Sequence, residues 1–154
     1  MQRDSCRLAL LLVALRRTLD RAWQGEVDMK VESLDHLVLT VASIDKTVAF
    51  YERVLGMRRE QFGADGRWAL VFGSQKINLH QQGREFEPKA HTALPGTGDL
   101  CFLVDDIAAV GAHLEACGVP ALMGPVKRIG ARGEMTSYYL RDPDQNLIEL
   151  SQYV

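Results

Sequence analysis

The sequence predicts an α+β fold of two βαβββ modules that form a curled, trough-like mixed sheet with the helices outside. Two observations support this prediction. An apolar strand followed by a helix occurs twice along the chain, and each helix ends at a glycine. The segment INLHQ (residues 77–81) near the end of the first half recurs as IELSQ (residues 148–152) near the end of the second. Two such modules placed side by side cover sheet faces that one alone would expose.

The first half begins with the run LDHLVLTV (residues 34–41), which is rich in Val and Leu and predicts a strand. Ser43 is the predicted N-cap of the helix that follows, and Gly56 its C-terminal stop. Between them, apolar residues recur at helical spacing, namely Ile44, Val48, Tyr51 and Leu55. Three short strands separated by glycine turns are then predicted, over residues 58–62, 68–72 and 76–81.

The second half repeats this order. The segment GDLCFLVDD (residues 98–106) predicts a strand, and the next apolar segment predicts a helix that Gly118 closes. The turn DPDQN (residues 142–146) joins the last two strands as a hairpin. The three remaining strands are predicted around residues 121–123, 135–141 and 146–152.

The repeat predicts a single domain over residues 31–154. It divides into module one (34–83), a linker (84–97) and module two (98–153). The linker contains two prolines, and long ordered loops often lie over binding sites.

Charge and composition exclude several functions. The chain has 18 Lys and Arg against 20 Asp and Glu, so no basic excess exists to bind a run of phosphates, and we expect no nucleic-acid partner. No stretch of 18 apolar residues occurs, so we expect no membrane partner either. A small-molecule substrate is the default expectation. Of three cysteines, Cys101 and Cys117 are predicted to be buried thiols, which favours a reducing, cytoplasmic location.

Residues 1–30 are predicted to be an N-terminal extension of uncertain role. An apolar run of eight residues (8–15) lies between arginines, but it is too short to span a membrane. No small-x-small cleavage site follows closely, and acidic residues weaken an organelle transit signal. A surface helix, a poorly ordered extension and a true start at Met29 remain open.

Alternation along the strands predicts which side chains reach the trough, since neighbours point to opposite faces. The apolar alternates face the helices, which leaves four polar residues at equivalent positions of the two modules facing inward. These residues are His36, Asn78, Asp99 and Glu149. A single strand histidine is more often a core or rim residue, and a single carboxylate usually faces solvent. Four polar residues at equivalent positions of the two modules, however, favour the interpretation that all four line one cleft.

This set also predicts metal binding. One imidazole, two carboxylates and an amide supply the nitrogen and oxygen ligands of a divalent ion such as Mn, Fe, Ni, Zn or Mg. Two carboxylates buried without a cation would be costly.

The segments LDHLVLTV, FYERVLGM, INLH and RDPDQNLIELS resemble the vicinal oxygen chelate superfamily, over residues 34–153. This group includes glyoxalase I, fosfomycin-resistance thiol transferases, extradiol dioxygenases and methylmalonyl-CoA epimerase. The segment NLHQQGREFEPKAHTALPG resembles the glyoxalase domain-containing protein 5 group and its bacterial virulence-protein relatives. The resemblance implies the glyoxalase/bleomycin-resistance/dioxygenase fold.

It also implies roles for individual residues. His36 and Glu149 match metal ligands, and Glu149 would also act as a base. Asp99 stands where many members have a histidine, and Asn78 where glyoxalase I has a glutamate. Since an amide is not a base, exact glyoxalase I chemistry is not assignable. His80, on the same strand face as Asn78, is a candidate surrogate ligand or base, with a rim histidine as the alternative.

Candidate substrate contacts come from loops. Lys89 and His91 lie in the linker, and Arg132 lies in the basic, glycine-rich segment KRIGARGE (residues 127–134). Such cations would bind a carboxylate or phosphate, unless the segment is a solvated mobile loop. Trp68 and Phe72 share a strand face and line either the pocket or the core.

The leading functional hypothesis is a glyoxalase-like, metal-dependent enzyme of lyase or isomerase type that acts on a small oxygenated metabolite. A second hypothesis is a metal-free small-molecule binding or sequestration protein of the same fold. The third is an extradiol-type dioxygenase, for which His80 would have to supply the second histidine. Members of this fold commonly pair, so a homodimer is expected.

Overall fold

The computed structural model describes residues 29–154, so the predicted extension lies, apart from residues 29 and 30, outside the described residues. The first module consists of β1 (His36–Val41), α1 (Ile44–Leu55), β2 (Arg58–Phe62), β3 (Arg67–Phe72) and β4 (Gln75–Gln81). The second consists of β5 (Asp99–Leu103), α2 (Ile107–Ala116), β6 (Met123–Gly130), β7 (Gly133–Arg141) and β8 (Leu147–Tyr153).

Local side-chain chemistry sets the helix boundaries. The Ser43 hydroxyl accepts a hydrogen bond from the backbone N–H of Lys46 at the start of α1. Gly56 adopts a left-handed conformation at the end of this helix, with φ of 64°, which glycine adopts without steric cost. At the start of α2, the Asp106 carboxylate accepts from two backbone N–H groups of the first turn.

The two sheets have the same topology, which confirms the two-module prediction. Their strand orders are β1-β4-β3-β2 and β5-β8-β7-β6. In each sheet the first strand pairs in parallel with the last, and the other pairs are antiparallel. Each helix connects the first strand of its module to the second, and these two strands lie at opposite edges of the sheet.

One hydrophobic core serves both modules. His113 of α2 donates a hydrogen bond from Nε2 to the backbone oxygen of Val54 in α1, at 2.8 Å. Phe72 of β3 meets Phe102 of β5 edge to face, with ring centroids 5.3 Å apart. Burial of this shared apolar surface is the main force that holds the modules together. Fully buried members include Val41, Tyr51, Leu70, Ile77, Leu140 and Ile148.

The basic, glycine-rich segment differs from its prediction as a loop. Lys127 and Arg128 lie on β6, which runs from residue 123 to residue 130 and pairs with β7. Arg132 lies in the tight turn that the Gly130–Gly133 pair closes. Among residues 29–154, no helix is long and apolar enough to cross a membrane.

Candidate functional site

Each sheet has one face that packs on the core and one face turned away from it, which we call the open face. In module one, Leu39 of β1 and Leu79 of β4 pack in the core. Since neighbouring strand residues alternate, Asn78 and His80 lie on the open face, opposite Val38 and Thr40 of β1. The first-strand histidine, two residues before Val38, lies on this face too.

The two candidate ligands of module one have unused bonding capacity. The His36 Nδ1 atom lies 2.6 Å from a carboxylate oxygen of Asp35, and the His36 side chain is 42% exposed. A carboxylate on one ring nitrogen orients the imidazole and leaves Nε2 for another partner. The Asn78 Oδ1 atom is buried without a hydrogen-bond partner among the described residues. Such an acceptor favours a bound donor or cation.

His80 is almost fully buried on the same face, with 7% of its surface exposed. Phe86 of the linker packs edge to face on its ring, at 5.6 Å. Burial lowers the pKa of His80, and the positive charges of Arg67 and Lys89 lower it further against the opposing effect of nearby glutamates. The neutral imidazole is therefore the favoured form and a competent proton acceptor.

The linker crosses the open face of module one and partly covers a cavity there. His80 and Thr40 line it from the sheet, and Lys89 lines it from the linker. The Lys89 ammonium lies 3.0 Å from a Glu85 carboxylate oxygen and 3.5 Å from one of Glu87. The sequence predicted that the linker lies over a site. In the structure the linker covers a cavity that two of the candidate residues, His80 and Lys89, line.

Glu149 is at the centre of a hydrogen-bonded cluster on the open face of module two. The Ser151 hydroxyl donates to Glu149 Oε1 at 3.2 Å. Burial opposes ionisation of this carboxylate, but hydrogen bonds from its neighbours outweigh burial and lower the pKa of Glu149. The neighbours that bond it are Ser137, Tyr139, Ser151 and Cys101. Glu149 is therefore held ionised.

Tyr139 and Arg128 extend this cluster. Arg128 belongs to the basic segment that was predicted to contact the substrate, whereas Tyr139 was not among the predicted site residues. Tyr139 lies directly opposite Glu149 in the β7–β8 pair. Arg128 Nε donates to the Tyr139 hydroxyl at 3.0 Å, and its guanidinium lies 5.3 Å from the ring centroid. The sequence could have predicted this contact. In a hairpin closed by the DPDQN turn, residue 141 pairs with residue 147, and two residues further along each strand residue 139 pairs with residue 149.

Asp99 and Cys101 share the open face of β5, and Cys101 is paired with Glu149 in the parallel register. Both residues are exposed. The prediction of a buried Cys101 thiol is therefore wrong, because the apolar strand around it buries its alternate residues instead. Cys117 is partly buried, as its position at the end of α2 allows.

Four of the five predicted substrate contacts do not line the cavity. Trp68 and Phe72 lie on the core side of β3, since Trp68 is paired with the buried Leu79. They are therefore core residues, which was one of the two alternatives. The Arg132 guanidinium packs 4.4 Å from the ring centroid of Tyr153, in the β6–β7 turn. His91 is exposed on the linker.

The four candidate ligands lie on two separate sheets. His36 and Asn78 belong to one, and Asp99 and Glu149 to the other. Within the part of the chain that the structure describes, no three His, Cys, Asp or Glu side chains come together as a metal site.

Comparison with known proteins places this arrangement in a family. The sequence profile of the glyoxalase/bleomycin resistance protein/dioxygenase superfamily matches residues 33–150. The chain is 59% identical over 134 residues to the glyoxalase domain-containing protein RDO1 of Mycosarcoma maydis, covering 85% of this chain and 75% of that protein. It is 31% identical over 128 residues to a probable lactoylglutathione lyase of Vibrio parahaemolyticus, covering 76% and 88%.

A solved structure agrees with these matches. The crystal structure of virulence protein STM3117 from Salmonella typhimurium superposes with a TM-score of 0.80 at 53% identity, covering 82% of this chain and all of that one. The shared profile, the sequence identity and the superposition lead to one conclusion: this chain belongs to the glyoxalase/bleomycin resistance protein/dioxygenase superfamily.

Proposed function

We propose that this chain is a metal-dependent enzyme of the lyase or isomerase type that acts on a small oxygenated metabolite. One observation supports it most strongly. The open faces of the two modules carry four polar residues at equivalent strand positions, His36 and Asn78 in module one and Asp99 and Glu149 in module two. A relative named a probable lactoylglutathione lyase adds support for a lyase.

The donor chemistry of these four residues fits a divalent ion such as Mn, Fe, Ni, Zn or Mg. The orphaned, buried Oδ1 of Asn78 is an acceptor that a cation would satisfy. Glu149 is held ionised, as a carboxylate ligand must be. When bound, such an ion polarises substrate oxygens as a Lewis acid.

We propose that a homodimer completes this site, because the four residues are divided between two sheets. The strands β1 and β5 lie at sheet edges. Val38 and Leu103, on the open faces of these strands, are 46% and 56% exposed. An exposed edge strand that carries apolar side chains favours pairing with another chain. The partner would bring the open face of its module two to module one.

The remaining roles follow from charge and position. His80 is neutral and buried beside the cavity, so it is the proposed acceptor of a substrate proton, with Glu149 as the second candidate base. Lys89, which lines the cavity, is the proposed contact for a polar group of the substrate, whereas His91 and Arg132 do not line the cavity.

A metal-free binding protein is the second candidate function. The observation that favours it is the cavity under the linker, which module one and the linker build together, with Gly98 of module two at its margin. A ligand held there would need neither the carboxylates of module two nor a metal ion.

Metal content tests the first proposal against the second. Protein purified without chelators or a histidine tag would be measured by elemental analysis, together with Glu149→Ala and the control Glu115→Ala, which removes an exposed carboxylate of α2. We expect a stoichiometric divalent ion in the wild type and the control, and its loss in Glu149→Ala. Equal metal content in all three proteins, or none after each ion is added, would contradict the metal site.

A further inference from the structure

The cavity under the linker has a volume of about 550 Å³, within the range of small-molecule sites. Its floor is the open face of module one, at Val38, Thr40 and His80. Its roof is the linker, from Pro88 to Leu94, and Thr97 and Gly98 close one end. Phe86, packed on the His80 ring, holds the roof close to the floor.

Two polar side chains that line the floor have unused hydrogen-bonding capacity. Thr40 and His80 are 8% and 7% exposed, and both side chains line the cavity. Neither side chain hydrogen-bonds to another of the described residues. Unlike Asn78 Oδ1, their polar atoms are not sealed off, so they can donate to or accept from a molecule in the cavity. From the roof, Thr92 adds a third neutral polar group.

The charge around the cavity is already balanced. Among the described residues, Lys89 is the only lysine or arginine that lines the cavity, and none of these lining residues is acidic. Two carboxylates, of Glu85 and Glu87, lie within 3.5 Å of the Lys89 ammonium from outside the lining. An anionic ligand would meet a lysine whose charge these glutamates neutralise, and a cationic ligand would find no lining carboxylate. Either charge would be desolvated without a partner, which is costly.

The rest of the lining is apolar. Val38 contributes from the floor, and Pro88, Ala90, Ala93 and Leu94 contribute from the roof. Val38 and Leu94 are both about half exposed, so a ligand would cover apolar surface that now faces solvent.

We propose that this cavity binds an uncharged, hydroxylated small molecule with a short alkyl body, such as a vicinal diol or a hydroxyketone. Its oxygens bond Thr40 and His80, and its alkyl part lies against Val38 and Leu94. The inference rests on the proposed function, because it names the substrate class of that site. It also changes the expected role of Lys89, which clamps the linker through Glu85 and does not bind a substrate anion.

The test uses two probes that have the same carbon skeleton, one of them neutral and the other anionic. Hexane-1,2-diol is neutral, and 2-hydroxyhexanoate carries a carboxylate in place of the terminal alcohol. Binding to the full chain, stripped of metal with a chelator, would be measured by NMR titration at pH 8, where an ordinary histidine is neutral. We expect the diol to bind at least tenfold more tightly than the carboxylate.

Variants then locate the binding. Thr40→Val is nearly isosteric, and His80→Phe keeps an aromatic ring at that position. Each removes hydrogen-bonding groups, so each is expected to weaken diol binding about fivefold or more. Thr136→Val, which removes the hydroxyl bonded to Lys127 in module two, is the matched control and should leave binding unchanged. Circular dichroism would verify that each variant is folded.

Three results would overturn the proposal: tighter binding of the carboxylate, no binding of the diol, or equal diol binding in the wild type and both cavity variants. These failures are distinct from failure of the proposed enzyme. The probes are measured without metal, whereas the enzyme proposal depends on metal content in the wild type and Glu149→Ala.

Discussion

The hydroxyl of Tyr51 donates a 3.0 Å hydrogen bond to the Asp142 carboxylate and so joins α1 of module one to the β7–β8 turn of module two. Both residues are almost completely buried. Burial, together with the negative charge of Asp142, raises the pKa of Tyr51, so the hydroxyl remains a donor. The same carboxylate accepts from the backbone N–H groups of Asp144 and Asn146. This turn therefore connects the two modules through one buried acceptor.

Tyr51→Phe is expected to lower the free energy of unfolding by about 2 kcal/mol, as for other hydrogen bonds to charged groups. Asp142→Ala should cost more, because it leaves the Tyr51 hydroxyl and two backbone amides without an acceptor. Urea unfolding measures both. Tyr138→Phe is the control, since the Tyr138 hydroxyl lies beside Gly111 and not beside an acid. An equal effect of Tyr51→Phe and Tyr138→Phe would contradict the role of this bond.

Much of the fold could be predicted because the chain encodes it twice. β2 begins and ends at the predicted residues, and α1 has the predicted N-cap and C-terminal glycine. β6 was predicted only near residues 121–123, because Gly124, Pro125 and Gly130 have poor strand propensity. Hydrogen bonding to β7 overrides that local preference. The residue types of β6 alone do not indicate this pairing, so the strand was not predicted at its full length.

The candidate site was less predictable than the fold. Alternation predicted the strand face of Asn78 and Glu149, because each of these polar residues lies between two apolar residues that pack in the core. For Trp68 and Phe72 both faces of β3 are apolar, so only the register with β4 shows that these side chains face the core. The contact between His80 and Phe86 depends on the path of the linker, which no periodicity encodes.

Acid should destabilise the protein through His80. Since its pKa in the folded protein lies below the ordinary value of 6.5, the unfolded chain binds the proton more readily. The stability associated with neutral His80 is therefore complete above pH 6.5 and declines as the pH falls below it. His80→Gln should show a smaller loss of stability between pH 7.5 and 5 in urea unfolding. His91→Gln, an exposed linker variant, should behave as the wild type; equal losses in all three proteins would contradict this assignment.

The conformation of the linker should depend on the Glu85 carboxylate more than on that of Glu87. Hydrogen bonds from Lys89 and from the backbone N–H of Gly83 lower the pKa of Glu85 from 4.5 to about 2. The interaction is therefore complete above pH 4.5 and is lost as the pH falls towards 2. Glu85→Gln should speed amide hydrogen exchange at Gly83 about two- to five-fold at pH 6.

The ratio of these exchange rates to the wild-type rates should fall as the pH is lowered from 4.5 and approach one below pH 2. Glu87→Gln is the matched control, because the Glu87 carboxylate is 73% exposed and 3.5 Å from Lys89. An equal effect of the two variants at pH 6 would show that Glu85 has no special part in fixing the linker.

Residues 1–28 should be dispensable for folding. The compact unit of residues 34–154 has its own core, and the superfamily profile begins at residue 33. Deleting residues 1–28 is expected to change the free energy of unfolding by less than about 0.5 kcal/mol, as for changes away from a core. Loss of folded protein on deletion, measured by circular dichroism, would contradict the predicted single domain of residues 31–154.

Tyr139 should control the charge of Glu149. Its hydroxyl is one of the donors that lower the pKa of Glu149, and Arg128 orients that hydroxyl. Tyr139→Phe removes this donor, so the pKa of Glu149 should rise, and carbon-13 NMR of the metal-free protein can follow the carboxyl carbon directly. Tyr153→Phe is the control, because that hydroxyl bonds the Arg132 backbone instead. If the Glu149 pKa is the same in both variants and the wild type, the remaining donors suffice and Tyr139 has no part in preparing a carboxylate ligand.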